Sequence, residues 1–249
     1  MKFATGWHSP RLGERVGVAR WGDYGTPVLL FPTAGGDAEE IERFHVIDAL
    51  GDLIGAGRIK VYSCDSVAGR TWVKAEGSER HRAWVQNQFH GFVAQELVPA
   101  IREDCHSSGI EVIAAGASIG AFNAVAVTCR YPELFRAALG LSGTYDLTRF
   151  LTNGDLPTDF YFSSPVHFLP GLEGPTLERL RHRYVLLASG QGRAENVGES
   201  WRMTHVLGQA RVPNRFVPWG EEWHHDWPTW RRMFPLYLDE LTAPGAPGG

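Results

Sequence analysis

The chain lacks the features that mark several protein classes. None of its 249 residues fall in an apolar run approaching the 18 residues of a transmembrane helix. The first residues, Met1 to His8, lack the apolar core of a signal peptide. Basic residues do not dominate, since 24 Lys and Arg stand against 28 Asp and Glu for a formal net charge of −4. We therefore expect a cytoplasmic protein that binds a small neutral molecule, with neither a nucleic acid nor a membrane as partner.

Cysteine is also scarce. Cys64, Cys105 and Cys129 are odd in number and show no paired spacing of the kind that metal sites use. We expect all three to be reduced and structural, and the protein to work without a metal or any other cofactor. Nothing in the sequence indicates an oligomeric state.

What is present is a regular alternation of strand and helix patterns. Residues 12–21 alternate as a strand does, and short strand patterns lie at residues 28–31, 60–63, 112–115, 137–141 and 184–188. Helical spacing covers residues 38–50 and 79–106, and Pro99 should kink or split the second of these helices. This order predicts an α/β fold with a mostly parallel sheet. We expect one domain over residues 1–242, with a loop-rich roof at 143–183 and a disordered, Pro- and Gly-rich tail at 243–249.

The most informative segment is Gly116-Ala117-Ser118-Ile119-Gly120, which follows an apolar strand and opens a helix of small residues. A serine at such a corner needs near-absent side chains two residues before and after it, so that strand and helix can approach. The same pattern can be an ordinary turn from strand to helix. Its position favours a nucleophile elbow with Ser118 as the attacking residue.

A nucleophilic serine requires a histidine to take its proton and a carboxylate to orient that histidine. The first carboxylate after the strand at 184–188 is Glu195, with Glu199 as the substitute. His225 directly precedes the last helix and is the preferred base, with His224 as the alternative. A metal site of His224, His225 and Asp226 is disfavoured, because adjacent side chains diverge and no further histidine follows at ligand spacing.

The oxyanion of an acyl transfer intermediate needs two backbone N–H groups. The amide of Ile119 is the first, since it follows the serine at the start of the helix. The second should come from the glycine-containing loop at residues 32–37, from the amide of Thr33 or, failing that, of Ala34.

Taken together, these motifs resemble the α/β-hydrolase superfamily, and within it the esterases of the esterase D and mycolyltransferase-like branch. The segments that carry the resemblance are Phe31-Pro32-Thr33-Ala34-Gly35-Gly36, the elbow, Tyr161-Phe162-Ser163-Ser164-Pro165 and His225-Asp226-Trp227-Pro228-Thr229-Trp230. The resemblance implies a central sheet of about eight strands with helices on both faces, and the roles of nucleophile, acid and base for Ser118, Glu195 and His225. Pro32-Thr33 replaces the common His-Gly sequence, and Ala121 stands where such esterases often carry glycine.

The leading hypothesis is a metal-free serine hydrolase that cleaves carboxylic esters of small molecules through an acyl-enzyme. Acyl transfer to an alcohol and a non-catalytic binding protein on the same scaffold are the alternatives. Several side chains near the motifs are candidates to line an apolar substrate pocket, although most are equally suited to the core. They are Ala34, Trp72, Phe122, Tyr145, Tyr161 and Trp227.

Overall fold

The centre of the molecule is one sheet of eight strands. The computed structural model describes residues 1–152 and 156–247. The strands are β1 (Lys2–Ser9), β2 (Glu14–Trp21), β3 (Thr26–Phe31), β4 (Ile59–Cys64), β5 (Val112–Ala117), β6 (Phe135–Leu141), β7 (Tyr184–Ser189) and β8 (Asn214–Pro218). Their order is β1-β2-β4-β3-β5-β6-β7-β8. Strand β2 is antiparallel to both its neighbours, and the pairs from β4 to β8 are parallel. The predicted α/β sheet of mostly parallel strands is confirmed.

Helices connect the strands and cover the sheet. They are α1 (Glu40–Arg43), α2 (Val46–Ala49), α3 (Gly51–Gly55), α4 (Val67–Val73), α5 (Glu79–Phe92), α6 (Val98–Asp104), α7 (Ile119–Arg130), α8 (Thr158–Ser163), α9 (Pro165–Phe168), α10 (Gly174–Leu180), α11 (Val197–Gln209) and α12 (Trp227–Leu241). A π-helical turn, Val93–Leu97, joins α5 to α6, and short 3₁₀ helices cover Leu147–Phe150 and Leu169–Gly171.

The inner strands read as continuous apolar sequence because both of their faces are covered. In β3, Val28 and Leu30 belong to the hydrophobic cluster that packs under α12, whereas Leu29 and Phe31 belong to the cluster under α5 and α6. Successive side chains of a strand point to opposite faces, so a strand with a helix layer on each side must be apolar at every position.

The helical predictions were correct in place but not in continuity. The predicted helix at 79–106 is interrupted by the π-helical turn immediately before Pro99, a residue that has no N–H to donate to the turn before it. The segment at 38–50 forms α1 and α2, and α3 follows them. Strands β1 and β8, which lie at the two edges of the sheet, had no counterpart among the strands read directly from the sequence.

The segment at 143–183 contains three short α-helices and the two 3₁₀ helices, and residues 153–155 of it lie outside the described residues. After α12, residues 243–247 form turns, and residues 248 and 249 of the predicted tail also lie outside the described residues. The division into one domain and a tail stays a prediction. Among the described residues, no helix combines the length and the hydropathy needed to cross a membrane.

Candidate active site

Ser118 occupies the corner between β5 and α7, with φ of 57° and ψ of −123°. Positive φ is strained for a residue with a side chain, and its presence here is typical of a functional corner. The two flanking glycines make the corner possible. A Cβ on Gly116 would lie 2.3 Å from the carbonyl carbon of Gly120, and a Cβ on Gly120 would lie 2.6 Å from the oxygen of Phe31. Glycine is therefore needed at both positions, as predicted, because any Cβ there would collide with the backbone.

The imidazole of His225 lies between Ser118 and a carboxylate. Its Nε2 is 3.1 Å from Ser118 Oγ, and its Nδ1 is 3.4 Å from Oε2 of Glu195. The Trp230 ring lies edge to face with the imidazole, at 5.1 Å between centroids. General base catalysis by a histidine requires this arrangement, in which one imidazole nitrogen faces the serine and the other faces the carboxylate.

Glu195 is held by hydroxyl groups at the ends of two neighbouring strands. Its side chain is 1% exposed. Ser142, directly after β6, donates to Oε1 at 2.5 Å, and Ser189, the last residue of β7, donates to Oε2 at 3.1 Å. The Ser142 hydroxyl also accepts a hydrogen bond from Trp230 Nε1 at 3.0 Å. The carboxylate therefore has a fixed orientation toward His225.

The two alternative residues have other partners. His224 accepts a hydrogen bond at Nδ1 from the amide of Arg193 at 2.9 Å. One carboxylate oxygen of Glu199 accepts hydrogen bonds from the amides of Tyr145 and Asp146, at 2.9 and 2.8 Å. Glu199 thereby holds the chain after β6 in place.

The 32–37 loop lies beside the elbow, but its hydrogen bonds correct the prediction for Thr33. The Thr33 amide donates to Oε2 of Glu40 at 2.7 Å, and the Thr33 hydroxyl donates to Oε1 at 2.8 Å. An amide engaged in this way cannot also serve an oxyanion. In the described part of the chain, the amide of Ala34 has no acceptor. Ile119 is the first residue of α7, and the amide of a first helical residue has no carbonyl of the same helix to donate to.

Comparison with known proteins places the chain in a family. The family model described as "Putative esterase" matches residues 51–240. The chain belongs to this esterase family. A search of curated proteins finds no match.

Solved structures show the same fold. A ferulic acid esterase is 16% identical, with a TM-score of 0.72 over 97% of this chain and 98% of that one. An S-formylglutathione hydrolase from Agrobacterium tumefaciens is 12% identical, with a TM-score of 0.70 over 96% and 92%. MPT51 from Mycobacterium tuberculosis is 16% identical, with a TM-score of 0.67 over 97% and 98%. This esterase therefore has the α/β-hydrolase fold.

Two cavities open at Ser118 and His225. The larger, about 480 Å³, is also lined by Thr33, Ala34, Gly35, Glu40, Asp226, Trp227 and Trp230. The smaller, about 100 Å³, is lined on its other sides by polar residues that include Thr144, Arg149, Asn196 and Glu199. Of the predicted substrate-binding residues, Ala34 and Trp227 reach a cavity. Trp227 stacks on Phe44, with 4.6 Å between ring centroids.

The other predicted aromatic residues of the esterase lie elsewhere. Trp72 and Phe122 are buried together in a small cluster beside the elbow, and Tyr145 is buried under α7 and α11. Tyr161 is partly exposed on α8 and belongs to neither of the two cavities. For Trp72, Phe122 and Tyr145 the structure therefore favours the core over the pocket, the alternative that the sequence had left open, because rings that fill the core cannot also face a ligand.

Sequence reasoning missed three residues that contact the site, Ser142, Ser189 and Glu40, and gave a fourth, Trp230, only as part of the segment that follows His225. Ser142 and Ser189 bind Glu195, Trp230 contacts both His225 and Ser142, and Glu40 binds Thr33. A signal existed for the two serines, since each stands at the carboxyl end of a parallel strand, where the ligands of such sheets gather. No comparable signal distinguished Glu40 from the neighbouring Glu39.

Proposed function

We propose that this protein is a serine esterase in which Ser118 is the nucleophile, His225 the general base and acid, and Glu195 the orienting carboxylate. The hydrogen-bonding distance of 3.1 Å between Ser118 Oγ and His225 Nε2 is the observation that carries the proposal. The family match supports ester cleavage as the reaction.

The reaction proceeds in two halves. His225 Nε2 takes the proton of Ser118 as Oγ attacks the ester carbonyl carbon, and the carbonyl oxygen becomes an oxyanion. His225 then gives its proton to the departing alkoxide, which leaves as the alcohol and produces the acyl-enzyme. In the second half His225 takes a proton from water as the water oxygen attacks the acyl carbon, the bond to Ser118 Oγ breaks, and His225 returns the proton to Oγ as the carboxylic acid departs. Glu195 orients the imidazole and stabilises the imidazolium in both halves.

The oxyanion in this proposal is held by the amides of Ile119 and Ala34, with Ala34 replacing Thr33. Both amides lack a protein acceptor where the structure describes their surroundings. Preorganised donors of this kind contribute most of their effect in the transition state, where the charge develops.

The larger cavity supports a small carboxylic ester as substrate, with its acyl or alcohol group against Trp227 and Trp230. Cys64, Cys105 and Cys129 form no disulfide bond, which agrees with a reducing compartment. A cytoplasmic location is therefore part of the proposal.

The test compares wild type, Ser118→Ala and the control Ser108→Ala, an exposed serine that precedes β5, whereas Ser118 follows the other end of that strand. On an activated aryl ester, Ser118→Ala should lose at least about 10³-fold in kcat/KM, and Ser108→Ala should retain it. A fluorophosphonate should label wild type and the control alone. Equal turnover by Ser118→Ala would refute the proposal. Product analysis with a competing alcohol distinguishes hydrolysis, which gives the free acid, from acyl transfer.

A further inference from the structure

Of the amides of residues 33–36, one is left for an oxyanion. The amides of Gly35 and Gly36 both donate to the Thr33 carbonyl, at 2.9 and 3.1 Å, and the Thr33 amide donates to Glu40. Among the amides of residues 33–36, only that of Ala34 lacks an acceptor within the described chain. The loop conformation that leaves the Ala34 amide without an acceptor depends on the hydrogen bonds that hold Thr33.

Glu40 is built into this loop. It is the first residue of α1 and is only 7% exposed, yet its carboxylate reaches back to lie against the loop and lines the cavity that contains Ser118. A Cβ on Gly36 would come within 2.3 to 2.6 Å of the Glu40 carboxylate, so the absence of a side chain at Gly36 creates the space that the carboxylate fills.

The rest of the loop is fixed from the other side. The amide of Ser66 donates to the carbonyl of Gly36 at 2.9 Å. On α4, a Cβ at Gly69 would lie 3.1 Å from the Cα of Ala34, so the helix backbone passes close to the donor residue. The Gly35 and Gly36 amides hold the carbonyl of the peptide that carries the Ala34 N–H. The hydrogen bonds that Glu40 accepts fix what precedes it, the Pro32–Thr33 peptide and the Thr33 side chain.

We propose that Glu40 is a positioning residue for the oxyanion hole: by accepting hydrogen bonds from both the amide and the hydroxyl of Thr33, it directs the Ala34 amide toward the substrate oxygen. This inference rests on the proposed function, because an oxyanion exists only if Ser118 attacks an ester. Glu40 acts through Thr33 and need not touch the substrate. A carboxylate buried in this position is otherwise unfavourable, since its desolvation is only partly offset by two hydrogen bonds.

The experiment measures kcat and KM of Glu40→Ala, Glu40→Gln and the control Glu39→Ala on a 4-nitrophenyl ester. Loss of a complete oxyanion donor lowers kcat by about 10²- to 10³-fold, and a misdirected donor should lower it by about 10- to 100-fold with KM within about twofold. Glu40→Gln should recover most of the loss, because its amide oxygen still accepts from the Thr33 amide and its NH₂ donates to the Thr33 hydroxyl. Glu39 pairs with Lys2 at the surface, so Glu39→Ala should match wild type.

Three results would overturn the inference: an unchanged kcat in Glu40→Ala, a defect confined to KM, or a Glu40→Gln variant as slow as Glu40→Ala. If Glu40→Ala does not fold by circular dichroism, Thr33→Val decides, since it removes one of the two bonds and keeps the amide. A several-fold loss of kcat at constant KM supports the inference, and an unchanged kcat refutes it. Failure of the proposed function gives a different result from failure of this inference, because turnover by the wild type would then not depend on Ser118.

Discussion

Replacing Ser142 by Ala should disturb both the stability of the esterase and the orientation of Glu195. The Ser142 hydroxyl donates to Glu195 at 2.5 Å and accepts from Trp230 Nε1 at 3.0 Å. Trp230 is only 4% exposed, so water cannot readily replace the lost acceptor. One hydroxyl therefore satisfies a buried carboxylate and a buried indole at once.

The magnitude follows from these two contacts. A buried N–H left without an acceptor destabilises by about 1–3 kcal/mol, and a hydrogen bond to a charged group contributes about 1.5–3 kcal/mol. Because both terms involve one hydroxyl and partial relaxation is expected, Ser142→Ala should lower the free energy of unfolding by about 2–3 kcal/mol. For a chain of this size, that corresponds to a decrease in Tm of about 4–12 °C.

Activity should fall less than it would on loss of the carboxylate itself. Disabling the orienting acid of a serine hydrolase lowers kcat by about 10⁴-fold. Ser142→Ala leaves Glu195 in place and still bonded to Ser189, so we expect a decrease in kcat of about tenfold. Ser189→Ala should have a smaller effect on both quantities, because the Ser189 hydroxyl shares its hydrogen between Glu195 at 3.1 Å and the Gly190 carbonyl at 2.9 Å.

Thermal melts and initial rates for Ser142→Ala, Trp230→Phe and the double variant provide the assay. Trp230→Phe removes the N–H donor and keeps a ring beside His225. The double variant should be more stable than the sum of the single effects predicts, since neither partner is then left alone. Additive effects, or a larger loss in Ser189→Ala than in Ser142→Ala, would refute the reasoning.

Two further predictions follow. His225→Ala should lower kcat by at least about 10³-fold, whereas His224→Ala should stay within about threefold because His224 bonds the amide of Arg193 and not the serine; reversed effects would exclude His225 as the base. Burial, with Arg130 nearby, lowers the pKa of His90 to about 3, so the unfolded chain binds a proton below pH 6.5 that the folded protein does not. This contribution to stability is present above pH 6.5 and decreases as the pH falls, by about 2 kcal/mol at pH 5. Denaturant unfolding at pH 7 and 5 should show this loss in wild type and not in His90→Gln.

The sequence indicated those parts of the candidate site that depend on chain order and on steric necessity. Ser118 could be found because only glycine fits at positions 116 and 120, and Glu195 because it is the first carboxylate after β7. The edge strands β1 and β8 escaped detection for a physical reason. Most of β1 is exposed and β8 is short and half-buried, so neither shows the continuous apolar pattern of the inner strands.

The aromatic residues illustrate a second limit. Trp72, Phe122 and Tyr145 were candidates because of their aromatic rings, and only Phe122 lies directly beside a motif in the sequence. Whether a ring faces a cavity or fills the core depends on the angle at which its helix or loop meets the sheet, which composition does not encode. Trp227 was an exception, because it follows His225 by two residues at the start of a helix and so shares the approach of His225 to Ser118.

The Thr33 amide shows why the oxyanion donor could not be assigned from the sequence. The loop after β3 offers several amides, and which of them remains free depends on which acceptors the folded chain brings to the others. Glu40 accepts the hydrogen bond of the Thr33 amide, and the Thr33 carbonyl accepts those of the Gly35 and Gly36 amides. A backbone donor is available to a substrate only when the protein leaves it without a partner, and Ala34 is half-buried on the cavity that contains Ser118. The unbonded amide of Ala34 is therefore a stronger indication of its role than its position after a strand.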